Sequence, residues 1–323
     1  MKAVVIREAG PPEVLLLEEI PKPELKDDWV LIRVRAFGLN RSEMFTRQGH
    51  SPNVKFPRVL GIECVGIIED ANGTDLKKGQ KVAAIMGGMG REFDGGYAEY
   101  TSVPRKNVFP FETDLDWKVL GAIPEMFQTA YGSLTAGLDV RSGQTLLIRG
   151  GTSSIGMAAT NIAKNMGLKV VSTTRNADKI ELLKEHGVDQ VVIDEGSIAR
   201  QLREVFPGGV DRVLELVGAK TLIDSLKCAA PGGIVCMTGI LGNSWTLDKF
   251  TPMGDIPHTV RLTVYMGEAT NLSAELLQNF IDGVRSGENQ IKIDRTFELD
   301  EIVEAHRYME SNQAGGKLVV LVN

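Results

Sequence analysis

Cysteine is scarce in this chain: Cys64, Cys228 and Cys236 are the only three in 323 residues. An odd, widely spaced set of thiols supports neither a disulfide framework nor a zinc ribbon. Histidine is almost as sparse, with His50, His186, His258 and His306 scattered and none in a catalytic pattern. No apolar run is long enough to read as a membrane span. The opening MKAVVIREAGPPEV is broken by Arg7 and Glu8 before it could serve as a signal peptide. Positive charge is in deficit, 36 Lys and Arg against 42 Asp and Glu, for a formal net charge of −6. That balance argues against broad binding to nucleic acid or to an anionic membrane. The expectation is a cytoplasmic protein whose partner is a small molecule, in a chain long enough for two domains.

What the chain does have is concentrated between Thr145 and Thr174, in TLLIRGGTSSIGMAATNIAKNMGLKVVSTT. Leu146, Leu147 and Ile148 form a continuous apolar run, as in a strand buried on both faces of a parallel sheet. Gly150 and Gly151 permit a tight exit turn, and Thr152, Ser153 and Ser154 can cap a helix and offer hydroxyls and backbone N–H groups to an anion. Gly156, followed by Ala158 and Ala159, keeps the helix thin enough to pack closely on the strands. This is a dinucleotide-binding βαβ unit, although Ser153 takes the place of the central glycine of the usual fingerprint. Beyond it, strands over 190–193, 210–216 and 234–238 alternate with helices near 198–205 and 221–229, the rhythm of a doubly wound parallel sheet.

The end of the second strand bears on which dinucleotide binds. An NAD site places Asp or Glu there to accept from the ribose 2′-hydroxyl. This chain has Ser172, Thr173, Thr174 and Arg175, with Lys179 one turn further on. Hydroxyls and two cations suit a 2′-phosphate, and hence NADPH. The alternative is that both cations are ordinary solvated charges at a helix start.

Before this unit the pattern changes to short β-rich segments over 3–6, 14–19 and 29–36, separated by Gly10-Pro11-Pro12 and Pro21-Lys22-Pro23. Val30, Ile32 and Val34 alternate with Leu31, Arg33 and Arg35, as in a strand with one face buried. Further strands are expected over 63–69, 81–85, 97–103 and 262–266, then a helix near 274–284 and a last strand over 317–322. The expected organisation is a β domain over 1–124, the nucleotide domain over 125–265, and a return to the first domain over 266–323.

In VRAFGLNRSEMFTRQG, FPRVLGIECVGIIE, KKGQKVAAI, GGYAEY, QTAYGSL, the nucleotide unit, DRVLELVG and GGKLVVLV, the chain resembles the zinc-free quinone oxidoreductases of the medium-chain dehydrogenase/reductase family over its whole length. The resemblance implies an α/β protein with a GroES-like, β-rich catalytic domain plus a doubly wound Rossmann domain, and a cofactor cleft between them. Zinc-containing members carry catalytic ligands at places that here hold Asn40, Ile62 and a residue near Gln128, none a usual zinc ligand. The lobe that holds structural zinc through four cysteines is missing as well. No metal is therefore expected, and the implied activity is NADPH-dependent hydride transfer to a quinone or similar electron-poor acceptor. Reduction of an enone or enoyl thioester, or a nucleotide-binding role that is structural or RNA-directed, are the alternatives.

The same resemblance points to Asn40 as a donor to a developing oxyanion and to Thr129 as a contact of the nicotinamide ribose or diphosphate. It also places cofactor contacts at Gly150, Thr152, Ser153, Ser154, Ile155, Gly156, Thr173, Arg175 and Lys179, and at Val217, Gly218, Thr238 and Gly239 after strand ends. Phe45 stands where many relatives have Tyr; with Tyr265 and the loop 86–89 it could shape the acceptor pocket. Relatives are commonly homodimers joined through Rossmann sheet edges, a role open to the strand over 262–266.

Overall fold

Glycine and proline punctuate the first third of the chain into strands β1 (Lys2–Ile6), β2 (Leu16–Glu19) and β3 (Trp29–Gly38), followed by helix α1 (Arg41–Arg47). Strands β4 (Arg58–Val59), β5 (Glu63–Asp70), β6 (Lys81–Ile85), β7 (Tyr100–Pro104) and β8 (Val108–Pro110) come next. Helices α2 (Trp117–Leu120) and α3 (Pro124–Gly132) lead into β9 (Thr145–Arg149), α4 (Ser154–Asn165), β10 (Lys169–Thr174), α5 (Ile180–Glu185) and β11 (Gln190–Ile193). The alternation continues through α6 (Ala199–Val205), β12 (Val210–Glu215), α7 (Ala219–Cys228), β13 (Ala229–Met237), α8 (Pro252–Asp255) and β14 (Arg261–Val264). The chain closes with α9 (Ala274–Ser286), β15 (Ile293–Glu298), α10 (Ile302–Glu310) and β16 (Lys317–Leu321).

This computed structural model describes residues 1–323 and divides into two compact units, residues 1–126 with 267–323, and residues 127–266. In the first unit, a seven-stranded sheet runs β15-β16-β3-β5-β6-β8, with β7 also paired to β3, and a smaller sheet runs β2-β1-β4. Every pairing is antiparallel except β15 with β16. The C-terminal strands thus complete a sheet begun by the N-terminal ones.

The second unit is a six-stranded, wholly parallel sheet in the order β11-β10-β9-β12-β13-β14. Counted from β9 that order is 3-2-1-4-5-6, the doubly wound dinucleotide-binding topology, whose switch point lies beside the first strand. Leu147, Val171, Val213 and Val235 from four neighbouring strands share one core cluster with Leu202 of α6 and Leu222 and Leu226 of α7. A strand covered on both faces needs such continuous apolar runs.

Several boundaries differ from the pattern-based expectation. The strand expected at 97 begins at Tyr100, because the Tyr97 carbonyl accepts from Val4 N–H and Ala98 bridges Ala3 on β1. Pro12–Val14 form a 3₁₀ turn, so β2 starts only at Leu16. The one-face alternation expected of β3 holds at exposed Arg33, but Ala36, Phe37 and Gly38 are all buried because the strand runs on as a central member of its sheet. β13 begins at Ala229 rather than 234, and β14 ends at Val264, leaving Tyr265 just beyond it.

Candidate active site

In the second unit, β9 delivers the chain to Gly150, whose φ of +91° lies in the left-handed region that glycine tolerates. A Cβ on Gly151 would sit 1.7 Å from Ser172 Oγ, and one on Gly156 would meet Gly150 O at 2.7 Å and Gly151 Cα at 2.8 Å. Both positions are therefore restricted by contact with β10 and with the turn itself. Ser153 is the N-cap of α4: its Oγ accepts from Gly156 N–H and donates to the Gly150 carbonyl. The N–H groups of Ser154 and Ile155, in the first turn of α4, have no protein acceptor, and the helix dipole adds partial positive charge there. Thr152 lies half-buried in the same turn. Thr173 Oγ1 accepts from Gly150 N–H, tying the turn to β10.

At the end of β10, Thr174 Oγ1 and the Asn176 side chain satisfy the local backbone through short turns. Arg175 is exposed and Lys179 half-exposed, and neither side chain has an ion pair or hydrogen bond in the protein. The geometry fits a dinucleotide: a turn that a Cβ would obstruct and open N–H groups at a helix start, with two unneutralised cations at the end of the next strand.

Val217 and Gly218 leave β12 with their N–H groups on Glu215 Oε1, at 2.6 and 2.9 Å. Thr238 Oγ1 lies 2.9 Å from Ser133 Oγ, and a Cβ on Gly239 would sit 2.4 Å from Leu216 O. Thr129 is buried on α3, with Oγ1 3.4 Å from Gln128 Oε1. Gln128 Nε2 donates to Tyr265 Oη at 2.7 Å, and Tyr265 leaves no room for a Cβ on Gly132. Tyr265 is only 7% exposed and Phe45 only 8%, so each packs as it stands, Phe45 edge-on to His50. The Gly87 and Gly88 backbones take φ of +59° and +95° in the loop 86–89, whose Met86 and Gly87 carbonyls accept from Asn107.

Sequence reasoning missed the buried charge beneath this turn. Arg149, at the end of β9, is fully buried and makes paired bonds to Asp194, a bond to Asp224, and bonds to the Thr221 and Gly196 carbonyls. Burial alone would lower its pKa, but Asp194, Glu215 and Asp224 together raise it. The Glu215 carboxyl, its pKa pushed up by burial, accepts from the Thr221 and Ser225 hydroxyls of α7 and from the Val217 and Gly218 N–H groups ahead of it. A cation ending the otherwise apolar run TLLIR was the available signal.

In the first unit, Asn40 is the N-cap of α1 and is 7% exposed. Its Oδ1 accepts from Lys317 Nζ at 2.6 Å, while Nδ2 donates to Glu63 Oε1 at 2.9 Å and, weakly, to the Gly38 carbonyl at 3.4 Å. Both amide hydrogens thus already face acceptors; donation to an oxyanion requires giving up the long contact to Gly38. Lys317 is fully buried between Glu63 at 3.0 Å and Glu125 at 3.4 Å. Burial would lower the Lys317 pKa, but the charges of Glu63 and Glu125 hold it raised. Ile62 offers only its backbone here, donating from N–H to Glu43 Oε1 at 2.8 Å. Cys64 is wholly buried, and burial pushes its thiol pKa up. No group of three His, Cys, Asp or Glu side chains is disposed to hold a metal ion.

Two family models match: the alcohol dehydrogenase GroES-like domain over residues 26–113 and the zinc-binding dehydrogenase model over 186–320. Among curated relatives, the quinone oxidoreductase of Pongo abelii is 29% identical, covering 100% of this chain and 98% of its own. The acryloyl-coenzyme A reductase of Sulfurisphaera tokodaii is 26% identical over 99% of both. Among solved structures, an NAD-dependent alcohol dehydrogenase superposes with a TM-score of 0.89 at 26% identity over the whole of both chains. A mycobacterial protein complexed with NADPH gives 0.88 at 25% identity over 99% of both. Fold and relatives together define an oxidoreductase with a GroES-like domain and a Rossmann-type NAD(P)-binding domain. Within that class, the chain belongs to the zinc-free medium-chain dehydrogenase/reductases and is quinone oxidoreductase-like. No helix is long and apolar enough to cross a membrane.

Proposed function

We propose that this protein is an NADPH-dependent reductase that passes hydride to a quinone or similar electron-poor small molecule without zinc. The observation that carries this reading is the end of β10, where Arg175 and Lys179 stand unpaired in the place an NAD site gives to a carboxylate. Thr173, Arg175 and Lys179 would hold the 2′-phosphate end, and the open N–H groups of Ser154 and Ile155, with Gly150, Thr152, Ser153 and Gly156, the diphosphate. Thr129, Val217, Gly218, Thr238 and Gly239 are the further contacts proposed for the cofactor. NADPH, when bound, supplies the hydride.

The protein's own part is to hold and polarise rather than to exchange protons. Lys317 draws on the Asn40 carbonyl oxygen, which strengthens the amide hydrogens as donors. The Asn40 Nδ2 hydrogen now on Gly38 is the one proposed for oxygen of the reduced acceptor. A quinone accepts hydride on such terms, because its oxygen becomes a stabilised phenolate that takes its proton from water. The full-length likeness to an acryloyl-coenzyme A reductase favours reduction of an activated alkene as the second reading. Pairing of two copies through the β14 edge is proposed as well, since Val264 and Met266 are 65% and 80% exposed there.

The test is an acceptor panel. NADPH oxidation with 1,2-naphthoquinone and none with enones or enoyl thioesters supports the first reading. The reverse pattern supports the second, and no turnover with any acceptor refutes both.

A further inference from the structure

Behind Asn40 runs a buried series of polar groups whose hydrogen-bond directions can be worked out one by one. Arg47 of α1 is fully buried; its Nη1 donates to the Gly10 carbonyl, Nη2 pairs with Glu310, and Nε faces His306 Nδ1 at 3.3 Å. A guanidinium only donates, so His306 Nδ1 must be an acceptor and the ring proton sits on Nε2. Burial, with the Arg47 charge, pushes the His306 pKa down to about 3, which keeps the ring neutral. Nε2–H therefore donates to Tyr97 Oη, 3.1 Å away. The Tyr97 hydroxyl hydrogen is thereby left over, and burial, followed by the nearby Glu43 carboxylate, holds the phenol pKa well above its usual value.

Glu43 is buried in the first turn of α1 and is the end of the series. Its Oε2 accepts from Asn40 N–H at 2.6 Å and its Oε1 from Ile62 N–H at 2.8 Å, so one carboxylate spans two segments 22 residues apart in sequence. A helix-capping Glu needs only the first of these bonds. The second ties the helix start to the residue preceding β5.

We propose that Glu43 is a positioning residue for the acceptor site: its carboxylate clamps the amides of Asn40 and Ile62 together, and Tyr97, aimed by His306 and Arg47, completes its hydrogen bonding. This inference rests on the reductase reading above for its effect on turnover, though not for the clamp itself. Holding Asn40 matters because a shift of about 1 Å in a positioned group can cost on the order of 100-fold in rate. The clamp is also sensitive to protonation, since the groups hydrogen-bonded to the Glu43 carboxylate, the Asn40 and Ile62 N–H groups, are donors. Burial and the neighbouring Glu63 raise the Glu43 pKa to about 7 against the opposing pull of the Ile62 and Asn40 N–H groups and Lys317. The charged and titratable groups facing it are Glu63 on β5, Tyr97 before β7, Lys317 on β16, and, one step back, His306 on α10 and Arg47 on α1.

The deciding experiment compares wild type, Glu43→Gln and Tyr97→Phe as full-length chains. It reads amide hydrogen exchange of the peptides holding Asn40 and Ile62, NADPH affinity, and the pH profile of kcat with 1,2-naphthoquinone. Gln retains the shape but can accept at only one of its two termini. Glu43→Gln is expected to speed exchange in both segments, lower kcat roughly tenfold, leave NADPH affinity unchanged and abolish the acid limb of the profile. Tyr97→Phe keeps the ring stacked on Phe37 and is expected to move that limb to higher pH. Unchanged exchange in Glu43→Gln, or faster exchange with an unaltered kcat and acid limb, overturns the proposal. If wild type turns over no acceptor, the reductase reading falls, and the exchange data alone still decide whether Glu43 clamps the two segments.

Discussion

Each unit of the molecule has a buried cation shared by two carboxylates, Arg149 in one and Lys317 in the other, yet the two clusters are built differently. Arg149 spreads five donors over two carboxylates, two backbone carbonyls and Ser225 Oγ. Its carboxylates are themselves held by backbone: Asp194 by Gly196 N–H, and Asp224 by the N–H groups of Ile198 and Ala199. That cluster locks the ends of β9, β11 and β12 beneath the nucleotide turn. Lys317 is a single point charge shared by Glu63, Glu125 and the Asn40 amide, with Glu43 close enough to raise its pKa. Arginine's rigid fork suits scaffolding, whereas an ammonium with more carboxylates than charge suits a site that holds a side chain and responds to protons. The first cluster supports the cofactor half and the second the proposed acceptor half.

The largest expected effect breaks the comparison at its cations. Arg149→Met leaves buried carboxylates without their partner and should cost about 3–5 kcal/mol in denaturant unfolding. Lys317→Met should destabilise as well, but it alone should also lower kcat for the acceptor at saturating NADPH. Equal kinetic effects from both variants would erase the distinction. Next, Arg175→Ala should weaken NADPH binding roughly 10- to 100-fold by calorimetric titration, the loss of one charge-assisted contact, with NADH binding little changed.

A smaller effect concerns pH. The His306 pKa is depressed to about 3 in the fold, so its contribution to stability is present above the unfolded value near 6.5 and is lost as pH falls from there towards 3. Glu43 runs the other way: its pKa is raised to about 7, so its contribution is full below the ordinary carboxyl value of 4.5 and is lost as pH rises through 7. The stability advantage of wild type over His306→Gln should therefore shrink on acidification below pH 6.5, by at most about 1.4 kcal/mol per pH unit. Chemical denaturation across that range measures it. The smallest effect is expected from Tyr265→Phe, which loses the bond from Gln128 and should cost about 1 kcal/mol in the same assay.

The nucleotide half was legible in the sequence because its signals are local. The apolar run of β9, the glycines of the turn and the small residues of α4 lie within 30 consecutive positions, and the β/α rhythm after them fixes the parallel sheet. The acceptor half was not, because it is assembled from distant parts of the chain. Lys317 and Asn40 meet across 277 positions, and Arg47 and His306 across 259. Glu43, Glu63 and Lys317 look in sequence like ordinary solvated charges, and only the return of β16 to the first sheet buries them. Asn40 could be singled out by resemblance, but what its amide is bonded to depends on partners that no local pattern reveals.

On the proposed reading, hydride passes from NADPH to a quinone at a site without a set of metal ligands. The most direct test is 1,2-naphthoquinone-dependent NADPH oxidation by protein treated with a strong chelator and desalted, run beside the same assay with NADH. The prediction is undiminished turnover with NADPH and a clear preference for it over NADH. Loss of activity on chelation with recovery on adding zinc, or equal rates with the two nucleotides, would contradict it.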